Sequence, residues 1–172
     1  MRDKVSIPRA ELMHPAVRTD VQILINKAEA ALGEKLAIRL VMTLRTIAEQ
    51  DALYAQGRTT PGPIVTKARG GQSFHNFGLA FDFCLLRDTD GNGTWETISW
   101  SELADFNVNG LPDWKEVVKV FTDAGWEWGG AWSSIHDAPH LEKRFGYAEN
   151  CKDLFVRYQR KNFIPGTQYV NL

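Results

Sequence analysis

Residues 79–86 form an apolar run that contains a single carboxylate, Asp82. The length and character of the run predict a strand that is buried largely on both faces. An ionised carboxylate in such a strand lacks water, so it must gain a cation or several hydrogen-bond donors, or else become neutral. A divalent metal ion would supply that cation.

Two histidines can complete a metal site around Asp82. His75 precedes the strand, and Gly78 between them permits a tight turn that brings the imidazole back over the carboxylate. A catalytic zinc site needs three protein ligands and an open position, and His140 is the best candidate for the third ligand. Asp137 lies shortly before it, near enough to act as a general base.

Each of these four residues also has a purely structural interpretation. A single histidine among aromatic side chains is usually a satisfied structural residue, and a single aspartate close to a proline usually forms a turn. The four residues nevertheless fall in two short apolar and aromatic stretches, whereas most other charges lie in polar segments. On spacing alone, metal binding and separate structural roles stay equally open.

A longer pattern makes the interpretation more specific. Residues 44–59, 61–62 and 64–73, followed by the histidine segment, resemble the L-alanyl-D-glutamate endopeptidases of bacterial cell walls and phage endolysins. Those enzymes are zinc peptidases related to the D-alanyl-D-alanine carboxypeptidases and to vancomycin-resistance dipeptidases. The resemblance runs from about residue 14 to residue 142, so it covers most of the chain.

The resemblance implies zinc (Zn2+) ligands at His75, Asp82 and His140, and a catalytic base at Asp137. It also implies that Arg45 faces the active site, where a guanidinium can stabilise an oxyanion or hold a substrate carboxylate, although a surface ion pair is the alternative. Zinc lowers the pKa of a bound water from about 15.7 toward about 7, so that a base can activate this water at neutral pH to attack an amide carbonyl.

Three further residues are expected to contact substrate, namely Gln50, Ser73 and Trp128. Ser73 precedes a predicted ligand and could orient it, or could cap a turn. Trp128 lies close to Trp126 and Trp132, and these three side chains could form an aromatic wall for a peptide or pack in the core.

Two features near the predicted site bear on these roles. Relatives usually carry a Gly-Tyr pair just before the arginine, whereas this chain has Thr43 and Leu44, which affects the nearby substrate contact and not the metal site. Glu142 is a rival for the role of base. Two residues beyond His140 on a strand, however, it should point to the same side as that ligand, so we expect the base to be Asp137.

Composition limits the number of domains and the kinds of partner. With 172 residues, 44% of them hydrophobic, the chain is long enough for one compact domain and too short for two. We expect a monomer with a single catalytic domain over residues 1–172 and a short C-terminal tail at about 164–172. The net charge of −1 and the scattered basic residues argue against nucleic-acid binding. Cys84 and Cys151 should be free thiols, the former packed in the core rather than binding metal.

The amino terminus, residues 1–6, lacks the apolar segment of a secretory signal, and no later stretch approaches the roughly 20 apolar residues that cross a bilayer. We therefore expect no membrane insertion. For an enzyme that acts on the cell wall, this pattern predicts synthesis in the host cytoplasm, release through a holin pore, and a phage or prophage origin. A chain whose signal had been removed would look the same.

Hydrophobic periodicity predicts an α+β fold. Helical spacing marks residues 15–32, 48–56, 112–124 and 148–161, whereas branched apolar residues mark strands at 36–44 and 79–86. The resemblance implies a small, mostly antiparallel sheet flanked by helices, similar to hedgehog and D,D-peptidase domains.

Residues 88–94 resemble the start of a calcium-binding loop. The twelfth position, counted from Asp88, holds Ser99 where such a loop needs a bidentate glutamate. A glycine-rich hairpin turn is therefore the favoured interpretation, and calcium binding the alternative.

Together, the residues and the resemblance predict a zinc peptidase whose partner is the peptidoglycan stem peptide and whose target is the L-Ala-D-Glu bond. A D-Ala-D-Ala carboxypeptidase or dipeptidase is the alternative among enzymes. A zinc-containing, non-catalytic cell-wall binding domain is the alternative outside them, but such a domain would not need the base Asp137.

Overall fold

A computed structural model describes residues 1–172 as helices packed on one antiparallel sheet. The helices are α1 (Ser6–Glu11), α2 (Pro15–Leu32), α3 (Ile47–Ala55), α4 (Asp113–Asp123) and α5 (Lys152–Gln159). The strands are β1 (Leu36–Met42), β2 (Ala80–Arg87), β3 (Thr97–Ser99), β4 (Glu127–Trp128) and β5 (His140–Glu142). No helix is both long and apolar enough to cross a membrane.

Strand β2 lies at the centre of the sheet. It pairs with β1 along one edge, and along the other edge with β5 at its beginning and with β3 at its end. Strand β4 pairs with the outer edge of β5. This register places Asp82 of β2 directly opposite His140 of β5, although the two residues are far apart in the sequence.

The core lies between the sheet and two amphipathic helices. The buried side chains of α2 recur every three or four residues along one stripe: Val17, Val21, Ile25, Ala28 and Leu32. Helix α4 contributes aromatic side chains that meet those of β2. Trp114 stacks on Phe83 with ring centroids 4.3 Å apart, and Phe121 meets Phe81 edge to face at 5.0 Å.

The predicted elements largely match the structure, and the predicted α+β class with an antiparallel sheet is confirmed. The final helix was predicted too long, because residues 148–151 form a turn in which Cys151 has a positive φ of 54°. Helix α1 and the short strands β3 and β4 were not predicted. The last residues pack against the body of the protein, since His14 Nε2 donates to the Val170 carbonyl at 2.9 Å.

The β2–β3 connection is a hairpin turn, as predicted for residues 88–94. The Asp88 carboxylate closes it by accepting hydrogen bonds from the amides of Gly91 and Gly93, at 2.6 and 2.8 Å. Both cysteines are free and buried. Cys84 packs with Ala37 and Leu86, so its predicted packing role is confirmed.

Helix α2 offers a matched pair of isoleucines that tests this packing. Ile25 is fully buried, whereas Ile23 is 58% exposed. We expect Ile25→Ala to lower the free energy of unfolding by about 2–5 kcal/mol, because it leaves a cavity in the core. Ile23→Ala should change it by no more than about 0.5 kcal/mol. Urea unfolding of both variants measures the difference, and equal losses would contradict the assigned face.

Candidate metal centre

Three donor atoms from distant parts of the chain form a small triangle. His75 Nε2 lies 3.2 Å from Asp82 Oδ1, His140 Nδ1 lies 3.1 Å from the same oxygen, and the two nitrogens are 3.2 Å apart. Four ligands arranged tetrahedrally around zinc, at about 2.0–2.1 Å, have neighbouring donor atoms about 3.3 Å apart. The triangle therefore has the dimensions of one face of a zinc site, and its residues form a group that could hold a metal ion.

The other nitrogen of each imidazole is already occupied. His75 Nδ1 donates to the backbone carbonyl of Thr43 at 2.7 Å, and His140 Nε2 donates to Glu142 at 2.9 Å. These bonds leave His75 Nε2 and His140 Nδ1 as the nitrogens directed at the shared point. A carbonyl or carboxylate behind a metal-binding histidine fixes the ring and its tautomer in this way.

A tight turn before β2 positions His75. The residue lies in a 3-10 helical turn, Phe74–Phe77, which ends at Gly78 with a φ of 68°. A Cβ at Gly78 would lie 2.8 Å from the backbone nitrogen of His14, so both conformation and space favour glycine. The Ser73 hydroxyl caps this turn by accepting a hydrogen bond from the His75 amide at 3.4 Å.

The carboxylate of Asp82 and the imidazole of His140 stabilise each other's charged form. Burial raises the pKa of Asp82, but the adjacent His75 and His140 outweigh this effect and hold the pKa far below its ordinary value. Burial lowers the pKa of His140, but its hydrogen bonds to Asp82 and Glu142 outweigh that effect and raise the pKa to about 9. The side chain of Asp82 is 21% exposed, so it lies at the foot of an opening rather than wholly inside the sheet as the sequence suggested.

That opening is a cavity of about 750 Å³. All three predicted ligands and the predicted base Asp137 line it, together with Arg45, Ser73 and Trp132. The structure thus brings together the ionisable residues that the sequence singled out.

Asp137 is held on the cavity wall by a short turn. The His140 amide donates to the Asp137 carbonyl at 3.2 Å, and the intervening Ala138 carbonyl accepts from the indoles of Trp128 and Trp114 at 2.7 and 3.3 Å. Burial raises the pKa of the Asp137 carboxyl, and the charge of Asp82 raises it further, whereas the nearby cationic groups lower it.

Two expected substrate contacts lie elsewhere. Gln50 is fully buried behind the cavity wall, where it accepts a hydrogen bond from Arg45 at 2.9 Å and donates to the Ala68 carbonyl at 2.9 Å. Trp128 does not line the cavity, because its indole is directed at Ala138. Trp132 faces the cavity in its place, with its ring centroid 5.1 Å from that of His140.

Two partners of the triangle carry roles that the sequence did not predict. Glu142, considered as a rival base, accepts a hydrogen bond from the predicted ligand His140 and pairs with Arg144 at 2.5 Å. The i, i+2 spacing on a strand was the available signal, since it places both side chains on one face. The other partner is the backbone carbonyl of Thr43, for which side-chain identity gives no signal.

Imidazole and carboxylate groups around one point, beside a further carboxylate in an open cavity, are what a metal-dependent hydrolase requires. A family model described as D-alanyl-D-alanine carboxypeptidase matches residues 66–143. Over 130 aligned residues the chain is 45% identical to the peptidoglycan L-alanyl-D-glutamate endopeptidase CwlK of Bacillus subtilis. The aligned region covers 76% of this chain and 72% of CwlK. The chain belongs to the D-alanyl-D-alanine carboxypeptidase family of metallopeptidases, which confirms the resemblance in sequence.

A solved structure shares the fold. The L-Ala D-Glu endopeptidase ChiX of Serratia marcescens superposes with a TM-score of 0.51, covering 83% of this chain and 88% of that one at 17% identity. At this identity the similarity concerns the fold alone, and it supports the assignment of helices around an antiparallel sheet.

The pKa of His140 leads to a prediction for metal affinity. With a pKa of about 9 in the metal-free protein, His140 carries a proton at neutral pH that a metal ion must displace. We expect the apparent zinc affinity to fall about tenfold for each pH unit below 9, measured by competition with a chelator and corrected for the protonation of that chelator. The affinity should become independent of pH above that value.

Glu142→Gln provides the control, because glutamine keeps a hydrogen-bond acceptor but removes the charge that helps to raise the pKa of His140. The fall in affinity should then begin at a lower pH. Zinc affinity that did not change between pH 7 and pH 9 in the parent protein would contradict the prediction.

Proposed function

We propose that this chain is a zinc-dependent peptidoglycan hydrolase that cleaves the stem peptide at the L-Ala-D-Glu bond. One observation carries the proposal. Three donor atoms converge at the foot of a cavity of about 750 Å³, with the carboxylate of Asp137 on the same wall. The identity to CwlK, whose name describes this activity, supports the choice of bond.

His75, Asp82 and His140 would hold the zinc ion. When bound, zinc would polarise the scissile carbonyl and lower the pKa of the attacking water. Asp137 accepts the proton of that water and afterwards returns it to the leaving amine. Burial raises the pKa of Asp137, and this suits a carboxylate that must both take up and release a proton near neutral pH.

Arg45 would stabilise the negative charge that develops on the carbonyl oxygen. Its side chain lines the cavity, and its hydrogen bond to Gln50 fixes the direction of the guanidinium. Burial lowers the pKa of Arg45, while the carboxylates of Asp82, Glu49 and Asp137 raise it. In this arrangement Gln50 is a positioning residue, and Ser73 and Trp132 are the wall residues that the stem peptide would meet.

A D-Ala-D-Ala carboxypeptidase is the second candidate, because the matching family model carries that description. Both reactions are amide hydrolyses and need the same metal and base. They differ in the bond that the cavity places over the metal. A zinc-containing binding domain is the non-catalytic alternative, and the base on the cavity wall argues against it.

The peptidoglycan stem peptide is thus the proposed partner. The phage or prophage origin, the release through a holin pore and the monomeric state that the sequence led us to expect stay predictions.

Defined muropeptides test the proposed bond. We expect zinc-loaded protein to release disaccharide-L-Ala fragments, because the amide after L-Ala would lie over the metal, and EDTA-treated protein to release none. Mass spectrometry of the products identifies the cleaved bond. Loss of terminal D-Ala instead would assign the protein to the carboxypeptidases, and no cleavage by folded, zinc-loaded protein would favour a binding domain.

Replacement of the proposed base separates catalysis from metal binding. Asp137→Asn should lower kcat by about 10²–10⁴-fold, because an amide cannot accept the proton. Its zinc content should match that of the parent, because Asp137 is not part of the donor triangle. Asp123→Asn, on the exposed surface of α4, serves as the control that keeps full activity. A fully active Asp137→Asn enzyme would remove this residue from the mechanism.

A further inference from the structure

The segment that joins β3 to α4, together with the first turn of α4, carries an ordered set of oxygen-bearing side chains. Residues 105–116 read Asp-Phe-Asn-Val-Asn-Gly-Leu-Pro-Asp-Trp-Lys-Glu. Positions 1, 3 and 5 of this twelve-residue segment hold Asp or Asn, position 6 is glycine and position 12 is glutamate. This is the pattern of an EF-hand calcium loop, Asp-x-Asp/Asn-x-Asp/Asn-Gly followed by five residues and a glutamate.

The segment is folded as a closed loop around these side chains. Gly110, at position 6, has a φ of 88°, which glycine adopts without strain. The Asp105 carboxylate accepts hydrogen bonds from the amides of Asn109 and Gly110, at 3.1 and 2.8 Å. The two oxygens of Glu116 accept from the side chains of Asn107 and Asn109, at 3.0 and 2.9 Å. The first and last positions of the loop therefore face its interior.

Asp113, at position 9, supplies an independent observation. The residue is fully buried, and its Oδ2 accepts a hydrogen bond from the Phe106 amide at 2.7 Å, but its Oδ1 has no hydrogen-bond partner. A buried carboxylate oxygen without a partner is costly, and a bound cation is one of the means that remove this cost. Burial raises the pKa of Asp113, hydrogen bonds from the backbone of Phe106 and Asn107 lower it, and the nearby carboxylates of Glu116 and Asp105 raise it again.

We propose that residues 105–116 bind a calcium ion. The ligands would be the carboxylates of Asp105 and Glu116, the side-chain oxygens of Asn107 and Asn109, the Leu111 carbonyl at position 7, and Asp113 directly or through water. An all-oxygen set of this size suits calcium. Zinc prefers nitrogen and sulfur, and magnesium requires a stricter octahedral arrangement.

The acidic turn at residues 88–96 lacks two features of the 105–116 loop, namely a buried carboxylate oxygen without a partner and a glutamate at the twelfth position. The buried Asp88 carboxylate there is already satisfied, because it accepts hydrogen bonds from three backbone amides of its own turn. Its twelfth position is Ser99, which cannot act as a bidentate ligand. Only the second loop combines the complete pattern with an unpartnered buried oxygen.

The loop is linked to the proposed active site through α4. Asp113 begins this helix, and the next residue, Trp114, donates from its indole to the Ala138 carbonyl in the turn that carries Asp137. A calcium ion that fixes the first turn of α4 would therefore also fix Trp114. The inference itself concerns a second metal site and does not depend on the proposed hydrolysis.

Calcium titration of the zinc-saturated full-length protein tests the proposal, because zinc then fills the triangle of His75, Asp82 and His140. Isothermal titration calorimetry should give one site with a dissociation constant of about 10⁻⁵–10⁻³ M. The Tm should rise by roughly 5–10 °C when free calcium is about a hundredfold above that constant. Magnesium at the same concentration should give a much smaller shift.

Three variants decide whether the site is this loop. Glu116→Gln should weaken calcium binding by at least about tenfold, since it removes the bidentate ligand. Asp105→Asn should also weaken it and serves where Glu116→Gln does not fold. Asp123→Asn removes an acid of the same helix outside the loop, so it should bind calcium like the parent. The absence of binding and of a Tm shift in the parent at about 10 mM calcium, or unchanged affinity in either loop variant, would overturn the proposal.

Discussion

The antiparallel pairing of β2 with β5 brings the proposed metal site together. It sets Asp82 directly opposite His140, so that a carboxylate and an imidazole from distant parts of the chain share one face of the sheet. The turn at Gly78 then adds His75 to the same point. A slip of one residue in this register would turn His140 to the opposite face and separate the donor atoms. The hydrogen bonds that fix the strands therefore also fix the proposed metal site.

How far the sequence predicts the site depends on which physical effect positions each residue. Asp82 could be found because a carboxylate in an apolar strand is costly wherever the strand lies. Ser73 could be placed near the site because it lies only two residues before His75 in the sequence. By contrast, Trp128 lies outside the cavity, because aromatic side chains suit a cavity wall and a core equally well, and the choice depends on where an indole donor finds its acceptor. The position of Gln50 behind the cavity wall could not be predicted for a similar reason, since its partners lie in segments that meet only in the folded chain.

In the fold, too, some elements could be predicted from the sequence and others could not. The long amphipathic helix α2 and the apolar strand β2 carry strong periodic patterns, and both were predicted. The strands β3, β4 and β5 are only two or three residues long, and they exist because β2 or a neighbour offers unpaired backbone groups. Such strands have little periodicity of their own. From the sequence, only residues 88–94 were recognised as the start of a calcium-loop pattern, although the complete pattern, with glutamate at position twelve, lies at residues 105–116.

The two proposed metal sites should respond differently to loss of their ion. In the triangle, His140 has a pKa of about 9, so in the metal-free protein a proton on its ring balances the charge of Asp82 at neutral pH. The loop has no such substitute, because Lys115 pairs with Glu102 outside it and Asp113 keeps an oxygen without a partner. Zinc would therefore exchange with a proton in a site that is already arranged, whereas calcium would compensate a charge that the fold alone leaves unpaired. By this argument the zinc ion would serve chiefly the chemistry, and the calcium ion would serve the stability of α4 and of the turn that α4 supports.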